Sequence, residues 1–172
     1  MTSIDPHALP IPFGSASDWV LCVEEPATGE PEVAARAVAE LLAGLNPDGA
    51  RIGVLWSSST SGSEAYSRVL GQLGHPPARD LAELVSLSGA DAVAAVVSTR
   101  FRLTGPTVST FGPWSDHHLW LAQYYVDTAR ADLMLVGFSL LGSDSVVAGV
   151  RVVEWNSRGV PCAVTDRSTE SI

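Results

Sequence analysis

Positive charge is scarce in this sequence. Ten Lys and Arg residues stand against 19 Asp and Glu residues in a chain of 172, which gives a formal net charge of -9. Ten cationic side chains are too few to form the basic stripe that neutralises phosphates. Nucleic acids and anionic membrane surfaces are therefore not expected as partners. An acidic carrier protein would also be repelled at long range, so any association with an acyl carrier protein is expected to be indirect.

Cysteines are rare, and long apolar runs are absent. Cys22 and Cys162 lie far apart, without the CxxC or Cys/His spacing that a metal site requires, and we interpret both as buried structural side chains. No apolar run reaches the roughly 20 residues of a membrane-spanning helix, and no early segment combines a basic region with an apolar one. These absences predict a cytoplasmic protein without a metal or other cofactor.

The composition that remains is that of a globular domain. Hydrophobic residues make up 46% of the chain and charged residues 17%, outside the polar, highly charged range in which chains stay disordered. A chain of this length can bury a core without disulfides or metals. We expect a flexible arm over residues 1–17, one folded domain over residues 18–166 and a short tail over residues 167–172.

Apolar periodicity predicts strands alternating with helices, followed by two strands close in sequence. This order is typical of an α/β fold with a mixed, mostly parallel sheet, a C-terminal antiparallel hairpin and helices covering the sheet. The predicted strands are 19–23, 51–56, 107–110, 132–138, 146–155 and 160–164, and the predicted helices are 31–44, 63–73, 80–97 and 117–129.

The helix predicted over residues 117–129 is apolar on nearly every side. One face of a sheet covers only one stripe of a helix, so a helix of this kind is expected to be enclosed all round. Other helices of the chain, a second copy of it or a different chain could supply the cover. Trp120, Tyr124 and Tyr125 are the residues that we predict at such an interface.

Five short motifs, taken in order, resemble those of a known family. The N-terminal half of the β-ketoacyl synthases, members of the thiolase-like superfamily, has similar motifs at nearly the same spacing, over a region corresponding to residues 31–166. The resemblance implies a thiolase-like half-domain. The motifs are RIGV at 51–54, TGPTVS at 104–109, ADLMLVG at 131–137, AGVRVVE at 148–154 and RGVPCAV at 158–164.

The sequence departs from that family at its nucleophile. In the family a cysteine begins the central helix, where the helix N-terminus lowers its pKa. Here the corresponding stretch contains Phe111, Gly112, Pro113 and Trp114 and no cysteine. The chain also ends before the region that carries the two catalytic histidines in the family. The resemblance therefore implies a non-catalytic subunit of type II fatty-acid or polyketide synthesis, paired with an active ketosynthase, in which Trp114 fills the vacated acyl pocket.

Ser115, His117 and His118 suggest a rival hypothesis, a small serine acyltransferase or hydrolase. Neighbouring residues on a helix point about 100° apart, so these side chains do not converge without other segments. Ser115 is better interpreted as the helix N-cap, followed by Asp116, which the helix dipole favours. A third hypothesis is a stand-alone homodimer that binds a hydrophobic small molecule or has a structural role.

Overall fold

A computed structural model describes residues 19–24, 29–45, 49–58, 92–112, 114–142 and 144–154. The predicted arm, the tail, the helix over 63–73, the strand over 160–164 and Cys162 lie outside these ranges. Within them the predicted elements are present; the first part of the helix predicted over 80–97 lies outside the described residues, and the other ends differ by a few residues. The strands are β1 (Val20–Glu24), β2 (Ile52–Ser58), β3 (Thr107–Phe111), β4 (Leu133–Leu141) and β5 (Val146–Glu154), and the helices are α1 (Glu30–Ala43), α2 (Ala92–Arg100) and α3 (Asp116–Asp127).

Local sequence signals explain where α1 begins and ends. Pro31 lies in its first turn, where the missing N–H costs nothing, and Glu30 and Glu32 face the positive end of the helix dipole. Gly44 follows the last turn and donates its N–H to the carbonyl of Leu41. The buried residues Val33, Ala34, Ala37 and Val38 recur at helical spacing and turn one face toward the sheet.

The described strands form one mixed sheet in the order β1-β5-β4-β2-β3. β2 pairs in parallel with both β3 and β4, whereas β5 pairs antiparallel with both β4 and β1. The mixed α/β sheet that was predicted is confirmed, and an antiparallel pair joins β4 to β5; the second strand of the predicted C-terminal hairpin, residues 160–164, lies outside the described residues. β4 continues to Leu141, three residues beyond the end predicted at residue 138.

The two faces of the sheet are covered differently. One face, with Val54 and Leu135, packs against α1 and α2. The opposite face, with Leu55 and Val136, packs against α3. Side chains alternate between the faces along each strand, which explains why both faces of β2 and β4 are apolar.

α3 has two stripes of opposite character. His118, Ala122 and Val126 lie four residues apart and are buried against the sheet. Trp120 and Tyr124 lie on the other side, with 75% and 52% of their surface exposed. The described residues of the chain therefore cover one stripe of this helix, and the enclosure expected from its apolar sequence is not supplied by them.

None of the described helices is both long and apolar enough to cross a membrane.

Candidate functional site

The stretch that corresponds to the family's nucleophile lies at the carboxyl ends of the parallel strands β2 and β3. The Ser57 hydroxyl donates to the carbonyl of Gly112 at 2.9 Å, and the Gly112 N–H donates to the carbonyl of Ser58 at 3.3 Å. These bonds hold the turn between β3 and α3 against the end of β2. In parallel α/β sheets, ligands commonly bind at this edge, so it is the natural place for a site.

Gly112 takes a backbone conformation that side chains disfavour. Its φ is +112°, in the region where glycine has no Cβ penalty, and the space where a Cβ would stand is empty. Phe111, immediately before it, is 74% exposed. Pro113 lies outside the described residues. The turn that takes the place of the family's cysteine motif is thus built on a glycine and presents no nucleophilic side chain at residues 111 and 112.

His118 is the buried polar centre of the site. Its Nδ1 lies 3.0 Å from the backbone nitrogen of Ser115, 2.8 Å from the Ser115 carbonyl oxygen and 3.3 Å from Ser115 Oγ. Its Nε2 lies 2.8 Å from Thr110 Oγ1, on the neighbouring strand β3. Ser115 and His118 together form a capping box at the start of α3, with His118 in the position that Glu or Gln usually takes.

The hydrogen bonds around His118 depend on which ring nitrogen carries the proton. With the ring proton on Nε2, the Ser115 N–H donates to Nδ1, Nε2–H donates to Thr110 Oγ1, and the Thr110 hydroxyl donates to the carbonyl of Trp56 at 3.3 Å. The other tautomer turns the Thr110 hydroxyl toward Nε2 and removes the acceptor of the Ser115 N–H. In that second tautomer Nδ1–H donates to the Ser115 carbonyl oxygen, 2.8 Å away, so in either tautomer the ring is bonded both to Ser115 and to Thr110.

Trp114 covers His118 and joins an aromatic cluster. Its ring stacks on the imidazole, with centroids 4.8 Å apart and an interplanar angle of 18°. Trp19 meets it edge-on at 5.1 Å, and Phe138 lies 6.4 Å away. The guanidinium of Arg151, itself buried, lies 5.7 Å from the centre of the Trp19 ring. Such a cluster contributes both buried area and favourable ring geometry, so it fixes the position of Trp114.

The candidate residues named from the sequence separate into two groups. Ser115 and His118 come together with Trp114, whereas His117 lies on the exposed side of α3, apart from them. Trp120 and Tyr124, which the sequence predicts at an interface, are exposed. Tyr125 is only half-buried and packs on the cluster beneath the helix.

Thr110 is the member of the site that sequence reasoning missed. It meets His118 across the turn from β3 to α3, and eight residues separate the two in the chain. The S-x-x-H spacing of Ser115 and His118 is the signal that could have placed the imidazole at the cap. No spacing rule indicates a contact between a strand residue and a helix residue across an irregular turn.

Cys22 does not supply the missing nucleophile. It lies on β1 with its sulfur 3.9 Å from a carboxylate oxygen of Glu40. Burial first, and then the negative charges of Glu40 and Glu24, raise the pKa of this thiol above its usual value. The thiol is therefore neutral near pH 7, the unreactive state. Among the described residues, no three His, Cys, Asp or Glu side chains form a group that could hold a metal ion.

Comparison with known proteins gives a likeness of fold. No family model matches the sequence, and no curated protein is similar to it. The structure resembles the ishigamide ketosynthase/chain length factor, with a TM-score of 0.54 and 18% identity over 68% of this chain. It resembles a β-ketoacyl synthase from Burkholderia phymatum, with a TM-score of 0.51 and 18% identity over 73% of this chain.

A third similar structure is a ketosynthase in complex with its chain length factor from Xenorhabdus doucetiae, with a TM-score of 0.50 and 11% identity over 74% of this chain. The chain spans 38%, 42% and 58% of these three proteins, less than two thirds of each. The described domain thus has the fold of part of a ketosynthase, as the motifs of the sequence predict.

Proposed function

We propose that this chain is a non-catalytic subunit that associates with an active ketosynthase in fatty-acid or polyketide synthesis. The observation that carries this proposal is the bonding of His118, which ties the start of α3 to Thr110 and Ser115 at the place where ketosynthases carry a cysteine. Two of the similar structures are described as a ketosynthase with its chain length factor, which supports a paired arrangement.

The chemistry of the site supports a scaffold. A condensing enzyme needs a thiolate that accepts the acyl chain, activated by the helix dipole or a neighbouring base. The hydroxyls of Thr110 and Ser115 are the only similar groups between residues 110 and 116, and both are engaged in the hydrogen bonds around His118. The Trp114 ring lies over the same imidazole and closes the approach to it from that side.

The first experiment tests for acyl transfer. Purified protein is incubated with a radiolabelled acyl thioester, and the bound label is measured after denaturation. We expect no covalent label, since the site holds no activated nucleophile. Stable labelling at any residue of the site would contradict a non-catalytic role.

The second experiment tests for the partner. The chain is co-expressed with ketosynthases from its own genome, one affinity-tagged at a time, and co-purification and product chain length are measured. We expect one ketosynthase to retain the chain and to change its product distribution when the chain is present. If no ketosynthase does either, the proposal is wrong.

A serine acyltransferase is the second candidate, favoured by one distance. Ser115 Oγ lies 3.3 Å from His118 Nδ1, within reach of a hydroxyl–imidazole pair. A fluorophosphonate probe distinguishes the two functions, since an activated Ser115 would be labelled and Ser115→Ala would abolish the label. Thr110→Val is the matched control, because it removes the other hydroxyl that contacts the same ring. We expect no labelling of either variant or of the wild type.

A further inference from the structure

We draw no further inference here: the strongest candidate, the exposed surface patch on the outer face of α3 with Trp120 and Tyr124, carries nothing because the part of the chain that the structure describes does not show what covers it.

Discussion

At the scale of single residues, the packing of Trp56 depends on the absence of a side chain opposite it. Trp56 on β2 is paired with Gly137 on β4, and its ring lies directly over that glycine. Its indole N–H donates to Ser139 Oγ at 3.1 Å, so the ring is fixed at both its edge and its face. Trp56 belongs to the cluster beneath α1 and α2, and any displacement of its ring would reach that cluster.

Gly137→Ala is therefore expected to destabilise the fold. A Cβ at this position would lie closer to the Trp56 ring than real Cβ atoms approach other atoms, and that ring is almost fully buried. Overpacking of this kind costs about 1–3 kcal/mol. The measurement is the urea midpoint. Gly44→Ala is the control, since a Cβ there makes only ordinary contacts at a negative φ, and its midpoint should match the wild type within error.

Ser115 offers a test that separates capping from catalysis. As the N-cap of α3 it forms a capping box with His118, so Ser115→Ala should cost about 1 kcal/mol of unfolding free energy. Ser115→Asp should restore most of that loss, because aspartate is an equally good cap. Thermal or urea unfolding gives both values. A stability that the aspartate does not recover would show that the serine has another role.

Asp132 links stability to pH. Hydrogen bonds from the side chain and backbone of Arg51 hold the pKa of the Asp132 carboxyl below its usual value of about 3.9. Its folded-state pKa is depressed, so the stabilisation is present above that usual value and is lost as the pH falls through the folded pKa. Asp132→Asn should thus be less stable than the wild type at neutral pH, and the two urea midpoints should converge in acid. A constant difference across that range would contradict this assignment.

At the scale of elements, the central strands carry the core and β1 lies at its border. Leu135 on β4 is fully buried beneath α1 and α2, whereas Val23 on β1 is largely exposed. Leu135→Ala should cost 2–5 kcal/mol, roughly, through lost burial and the cavity left behind. Val23→Ala is the control and should change the free energy of unfolding by less than about 0.5 kcal/mol. Denaturant unfolding of both variants gives the comparison.

Sequence patterns predicted most of these elements because each carries a local signal. Pro31 and Gly44 bound α1, and the continuous apolar run of β4 indicates a strand buried on both faces. The sequence did not predict which side of α3 is covered, because the apolar character of Trp120 and Tyr124 is the same whether these side chains are buried or exposed. The link from Thr110 to His118 depends on how β3 and α3 are placed, which no periodicity contains.

At the scale of the whole molecule, the two faces of the sheet differ in how far this chain covers them. α1 and α2 lie on one face, and α3 alone among the described helices lies on the other. The ketosynthase-like fold was predicted from five short motifs. The order of these motifs along the chain indicated the fold more strongly than any single motif did. The likeness covers part of each similar protein, so activity and partners remain the proposals argued above.

The bonds that tie the turn after β3 to the end of β2 link elements that lie far apart in the sequence. Ser57 donates to the Gly112 carbonyl, the Gly112 N–H donates to the carbonyl of Ser58, and His118 contacts Thr110. The first turn of α3 is thus joined to two neighbouring strands within a few residues of its start. An insertion or deletion in this turn would therefore shift the helix along the sheet and expose the imidazole of His118 to water.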